Sequence, residues 1–518
     1  MGSHGVEWVR TEIDGVPVFW SEHEGELTAG LVFRVGHADE RLARRGITHL
    51  VEHLALHQAG ARHDQSNGSV DATLTTFLTH GDAEHVRDFF ASLCAALADL
   101  PVDRIPAENQ LLLTEADGRS RDIQSSLAIW RYGAATYGLS GYDEFGVGLH
   151  SPEEVRAWAR AWFTSGNAAM WLIGGPPPDG LRLELPAGPR VPTPEPTSTL
   201  RRTPAYFNAS LNGVAASSVV ERSTAATAYA DLLQRRLFQS LRTAEGISYS
   251  QTATYDRRDA YLAEITAFAD GLSSVHSRLV RGFTEVIDWL AELPPKEHEV
   301  AELIELRRAP LLDPRIRAGL PVGAAHAELF GAEPPTIASV EAELETLCAE
   351  DIQDVGITVR DNILLMVPEG HTPAGDRYVA APHTSTGRVE GEILLPIESA
   401  QPGEQNPFGP ATTGRPRLCV GPTGISLISG PEFITIRFAD CAAMLAWPDG
   451  ARHLIGRDGL HLRIEPTLWK YGAALPDLID RGVPPGVVVP KPPRADQDIP
   501  RQVRTSSWSR LRARIKRH

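Results

Sequence analysis

Hydrophobic residues recur at helical spacing over residues 225–241, where Leu232, Leu233, Leu237 and Leu241 line one face, and Gly246 supplies a stop signal. From Ser248 onward the pattern changes and predicts a strand. Ser151, Pro152, Glu153 and Glu154 open a predicted helix that runs to Phe163, and residues 362–367 form a short apolar strand. Towards the C-terminus the period shortens. Residues 418–421, 424–428, 434–438 and 460–464 are short alternating runs separated by glycine turns such as Asp449-Gly450 and Asp458-Gly459, which predict antiparallel strands. A helix over about residues 466–480 closes this unit.

Proline-rich stretches divide these elements. Residues 186–204 read as an extended connector between a first half, residues 1–185, and a second, residues 205–370. The second half repeats the order of the first: strands, a long helix, further strands, helices and a terminal strand. The expected fold class is α+β, with two related sheet-plus-helix domains in tandem. Residues 371–417, rich in glycine, proline, serine and threonine, read as a second linker with little structure. A small, mainly β domain follows over residues 418–490. The tail, residues 491–518, carries nine lysines and arginines against two aspartates and reads as a disordered basic arm.

In the first half, Gly46-Ile-Thr-His-Leu-Val-Glu-His53 contains H-x-x-E-H, an inverted zinc-hydrolase signature. At about 100° per residue, His49, Glu52 and His53 fall within an arc of roughly 100° on one helix face. Two imidazoles supply neutral nitrogen ligands and leave room for a third ligand and a water, while Glu52 is placed to take a proton from that water. Pro106 opens a second helix. On it Glu108 and Glu115 are about two turns apart and share a face, so one can ligate a metal while the other orients a neighbour. The alternative for this pair is a solvated acidic face.

Together these segments resemble the pitrilysin or insulinase type of zinc metallopeptidase, in the two-domain subunit form of the mitochondrial processing peptidase. The resemblance spans most of the first 370 residues. Residues 31–40 look like the family's strand, glycine and acidic residue ahead of the metal helix. Residues 67–77 are similar to the strand after it, and residues 167–174 to its closing strand. The resemblance implies that His49, His53 and Glu115 ligate zinc, that Glu52 is the general base and that Glu108 is a supporting carboxylate. Glu115 lies 62 positions after His53, fewer than the family pattern, as a shortened surface loop would explain. Arg242 and Tyr249 match the family's pair that binds substrate backbone near the metal. A fixed cation and a phenol suit the negative charge that develops on a carbonyl oxygen under attack. The family's chamber contains four related domains, whereas this chain carries two. That implies a homodimer, or a heterodimer with a related subunit, in which each protomer lends Arg242 and Tyr249 to its partner's site. The small β domain with its closing helix resembles a pleckstrin-homology type fold, as a docking module or as a structural cap on the peptidase.

Composition narrows the function. The chain has 518 residues, 42% of them hydrophobic, and a mean hydropathy of -0.18, values of a globular protein with ample core. No apolar run reaches transmembrane length, and the N-terminus lacks the basic and apolar regions of a signal peptide, so a cytoplasmic location is expected. The four cysteines are widely spaced with no C-x-x-C pair, which favours reduced buried thiols over disulfides or a cysteine metal site. A net charge of -16 argues against nucleic acid and suits neutral or basic peptides. The expected activity is a zinc-dependent endopeptidase acting on short or unfolded peptides, in peptide maturation or leader removal. The competing expectation is a non-catalytic, peptidase-like subunit that lends shape or peptide binding to a partner.

Overall fold

The computed structural model describes residues 8–60, 65–118, 122–397 and 416–500. Most of the basic tail and the centre of the second linker lie outside these residues. The first half folds as a six-stranded sheet of β1 (Val9–Ile13), β2 (Val16–Ser21), β3 (Leu27–Phe33), β4 (Ser66–Val70), β5 (Thr75–Gly81) and β6 (Ala168–Ile173). Its order is β1-β2-β6-β3-β5-β4, so β4 is an edge strand. Helices α1 (Ile47–Gln58), α2 (Ala83–Ala98), α3 (Ile105–Asp117), α4 (Ile123–Tyr132) and α5 (Pro152–Trp162) complete it. Leu50, Val51, Leu54 and Ala55 bury one side of α1 against Phe33, Phe77 and Phe90, which leaves His49 and His53 on the other. Residues 67–77, expected as one strand, form a hairpin instead. Asp71 donates its N–H to Leu74 O at 2.8 Å and closes a tight turn between β4 and β5.

The second half repeats this topology. β7 (Ala205–Ala209), β8 (Gly213–Glu221), β9 (Gln251–Arg257), β10 (Leu262–Asp270), β11 (Leu364–Pro368) and β12 (Val379–Ala380) form a sheet in the order β12-β7-β11-β8-β10-β9. β2 and β6 pair in parallel, as do β7 and β11, and in both sheets the next two pairs are antiparallel. The helices are α6 (Thr224–Leu237), α7 (His276–Glu292), α8 (Glu297–Leu311), α9 (Pro314–Ala318), α10 (Leu320–Phe330), α11 (Ile337–Thr346) and α12 (Ala349–Asn362). α6 lies between β8 and β9 just as α1 lies between β3 and β4. Past Leu237 it widens into a π-helix, Phe238–Ala244, a geometry frequent at functional sites.

Each half covers the other's sheet. Leu127 on α4 packs with Phe207, Ala215 and Leu364 of the second sheet, and Arg131 donates to Ser217 O and Asn362 O. In return Ala324 and Ala325 on α10 pack against Phe19, Val32 and Trp171 of the first. The 186–204 connector has no helix or strand but is anchored, with Val191 N–H donating to Asn167 Oδ1 and Thr199 N–H to Arg131 O.

The region expected to be a second linker with little structure contributes two strands: β12 joins the second sheet, and β13 (Glu392–Leu394) joins the third domain. That domain holds β13 with β14 (Arg417–Gly421), β15 (Gly424–Ser429) and β16 (Glu432–Arg437) in one sheet. A second sheet contains β17 (Cys441–Ala446), β18 (Arg452–Gly456), β19 (His461–Ile464) and β20 (Val488–Pro490). The helix expected over residues 466–480 is broken. Tyr471 adopts a φ of 60°, in the left-handed region, and only α13 (Leu475–Gly482) is α-helical. Nor does it close the chain, since β20 follows and pairs in parallel with β17. All four cysteines are free thiols; Cys94, Cys419 and Cys441 are buried as expected, whereas Cys348 is exposed. Among the described residues no helix is long and apolar enough to cross a membrane.

Candidate metal centre

α1 begins where Gly46 takes a φ of 104°, a conformation that favours glycine; a Cβ there would also press on Val147 and Glu144. The buried carboxylate of Glu40 accepts the N–H groups of Gly46 and Thr48 at 2.8 Å each and so caps the first turn. Burial pushes its pKa up to about 7 against those bonds. The helix then presents His49, Glu52 and His53 to α3, which opens on Ile105 and Pro106 and is pinned by buried Leu112.

Between the two helices His49, His53 and Glu115 converge, their nearest ligand atoms all within 4.8 Å of one another. Glu115 Oε2 lies 3.7 Å from His49 Nε2, and its Oε1 lies 3.5 Å from His53 Nε2. Tetrahedral zinc with bonds of about 2.0–2.2 Å sets its ligand atoms roughly 3.3–3.6 Å apart; each imidazole is close to that spacing from one Glu115 oxygen, and side-chain adjustment within the 4.8 Å cluster would bring all three donors onto one ion. The outward nitrogens of both rings are also engaged. Glu108 Oε2 lies 3.5 Å from His53 Nδ1, and both Glu144 oxygens lie 3.2 Å from His49 Nδ1. A carboxylate can only accept at Nδ1–H, so the tautomer puts each ring's lone pair on Nε2, the atom that would coordinate. Arg104 holds Glu108 at 3.2 Å, and Arg45 lies 4.0 Å from Glu144. Burial, reinforced by His49, lowers the His53 pKa and keeps that ring neutral, the form a metal requires.

Glu52 does not point away from this cluster. Its Oε2 lies 3.9 Å from His49 Nε2 and 3.8 Å from His53 Nε2, while its side chain is 4% exposed. Burial pushes its pKa up to about 7; His49 opposes that, and Glu115, Glu144 and Glu108 add to it. Gly68 of β4 abuts Glu52 so closely that a Cβ there would lie 1.9 Å from Glu52 Oε1.

Arg242 and Tyr249 come together with each other, not with this cluster. Arg242 Nη1 donates to Tyr249 O at 3.0 Å, and its guanidinium sits 4.7 Å from the Tyr249 ring centroid. Asp270 accepts the Tyr249 and Ser250 N–H groups and fixes the loop, leaving Tyr249 73% exposed. The sequence reading missed Glu144, Gly68 and Glu40. Glu144 sits in the aperiodic stretch Gly141-Tyr-Asp-Glu-Phe-Gly146, where the only signal was an acidic pair among glycines.

No family model matches the sequence, and no curated protein matches it. Solved structures do match in fold. The peptidase M16 inactive domain from Pseudomonas fluorescens has a TM-score of 0.58 at 11% identity and covers 71% of this chain and 100% of that one. A protease from Helicobacter pylori has a TM-score of 0.56 at 14% identity, with 70% and 99% covered. The first half of the periplasmic protease PqqL from Escherichia coli gives a TM-score of 0.54 at 11% identity, with 70% and 92% covered, and against the whole of PqqL this chain covers 56%. The tandem α+β halves thus have the fold of M16-type, pitrilysin-like peptidase domains.

Proposed function

We propose that the protein is a zinc-dependent endopeptidase that cleaves short or unfolded peptides. The observation that carries this reading is the convergence of His49 Nε2, His53 Nε2 and Glu115 beside the buried carboxylate of Glu52, with a carboxylate behind each imidazole. The fold alone does not carry it, because one structural neighbour is an inactive domain. His49, His53 and Glu115 would hold the zinc ion, which when bound supplies a Lewis acid for water and for the scissile carbonyl. Glu52 then takes the water proton on its carboxylate and returns it to the leaving amine nitrogen. Glu108 and Glu144 hold the two rings in the tautomer and orientation that coordination needs. β4 is an edge strand with Gly68 against Glu52, so an extended peptide paired along β4 would lie beside the base. That mode of binding selects unfolded segments, and the net charge of -16 favours basic ones.

The exposed Arg242–Tyr249 pair would serve the site of a second protomer. Similarity to the first half of a longer single-chain protease supports this, since the missing half can come from another copy of the chain. A related partner chain is the alternative. The deciding experiment is Glu52→Gln. It should keep one zinc per chain and bind peptide while losing hydrolysis by several orders of magnitude. Wild-type turnover in this variant would refute the mechanism, and a wild type that holds zinc yet leaves a broad peptide library intact would favour the non-catalytic subunit.

A further inference from the structure

The third domain does not hang from the chain as a separate module. β17 packs against residues 42–44, which lead directly into Arg45, Gly46 and α1. Ala443, Leu445 and Ile455 share a buried cluster with Leu42, Ala134 and Tyr142 of the first half. The backbones also touch: Ala134 N–H donates to Arg457 O at 3.0 Å, and a Cβ on Gly133 would lie 2.3 Å from that same oxygen. His461 stacks on Tyr142 with centroids 6.0 Å apart and planes 19° from parallel, and its Nδ1 lies 2.9 Å from His453 Nε2.

The two segments gripped in this way are the two that build the His49 side of the metal centre. Tyr142 stands two residues before Glu144, whose carboxylate faces His49 Nδ1. Arg45 stands between the packed residues 42–44 and the start of α1, and its carbonyl accepts Gly146 N–H at 2.9 Å. Glu144 lies in a stretch without α-helix or strand between α4 and α5, so its position depends on what that stretch packs against. Its apolar support comes from both sides: Leu42, Ala43, Ala134 and Leu139 of the first half and Ala443, Leu445, Ile455 and Val489 of the third domain share one buried cluster with Tyr142.

We propose that the third domain is a working part of the metal centre: by clasping the segment around Tyr142 it holds Glu144, a positioning residue, in place behind His49. This rests on the reading of His49, His53 and Glu115 as metal ligands. Of the two roles expected from sequence, a docking module and a structural cap on the peptidase, this is nearer the cap.

The test is a thermodynamic cycle on the full-length chain, reading zinc dissociation constants by chelator competition and the ligand field of the cobalt-substituted protein. Glu144→Gln should weaken zinc binding by about 10–100-fold. A clasp variant, His461→Ala with Leu445→Ala, should weaken it by about tenfold and shift the cobalt spectrum in the same direction. In the Glu144→Gln background the clasp changes should add nothing, because both act through one carboxylate. His461→Phe, which keeps the stack, should bind zinc like the wild type. Tyr142→Leu removes the stack from the first-domain side and serves as a second reading if the clasp variant does not fold. Unchanged zinc affinity in folded clasp and Tyr142→Leu proteins overturns the inference, as do losses that add fully to that of Glu144→Gln. A wild type that binds no zinc overturns instead the ligand assignment beneath it.

Discussion

Replacing Gly68 by alanine should separate stability from activity in this protein. Gly68 has no positive φ, so the strand backbone accepts an L side chain, and the stiffer unfolded chain, worth about 0.4–1 kcal/mol, offsets part of the strain the methyl introduces. The added methyl cannot coexist with Glu52 in its present place. It would sit 1.9 Å from Oε1, 2.7 Å from Cδ and 2.9 Å from Cγ, against a normal carbon–oxygen contact of about 3.3 Å. Relief therefore displaces the carboxylate by more than about 1 Å, and a displacement of that size at a catalytic group costs on the order of 100-fold in rate, about 2.7 kcal/mol. The three atoms nearest to such a Cβ all belong to Glu52, so with His49, His53 and Glu115 as the proposed ligands zinc stoichiometry should be unchanged. The assay is kcat and KM on a fluorogenic peptide library alongside zinc content and thermal unfolding of the same preparation. A Gly68→Ala enzyme with wild-type kcat would refute the reasoning, because it would show that hydrolysis does not need Glu52 where the structure puts it. Loss of zinc would refute it differently, by showing that the strand supports the ligands as well as the base.

Glu115→Gln should lower zinc content well below one per chain, whereas full occupancy would move the third ligand to Glu108; metal analysis decides. Mixing inactive Glu52→Gln with inactive Arg242→Ala protein should restore peptidase activity if protomers share sites, and confirmed subunit exchange without recovery would exclude sharing. Burial, more than any neighbouring charge, lowers the pKa values of His150 and His326 to about 4. Each binds its proton more readily once unfolded, so the stability it contributes is present above pH 6.5 and is lost as pH falls towards 4. Between pH 7 and 5 each should cost about 2 kcal/mol, and urea unfolding of His150→Leu should show a shallower decline over that interval. A slope identical to wild type would remove His150 from the account.

The helical arc of His49, Glu52 and His53 was legible from sequence because one turn of helix fixes their relation without help from the rest of the chain. The same holds for Glu108 and Glu115, two turns apart on α3, and for the run of leucines on α6. The repeated halves were legible too, since similar hydrophobic order produces similar sheets. What periodicity could not carry was the identity of neighbours far apart in sequence. The resemblance gave residues 67–77 as one strand where the chain turns at Asp71, and the sequence pattern ran a helix through residues 466–480 although Tyr471 takes a left-handed backbone there. Glu144 has no period at all. It meets His49 across 95 positions through a segment packed between the first half and the third domain, and Gly68 meets Glu52 because β4 folds back across α1. The sequence by itself determined the chemistry available on each helix. The tertiary structure alone decided which carboxylate stands behind which imidazole and how closely Glu52 is confined, because those depend on contacts between elements that no local pattern encodes.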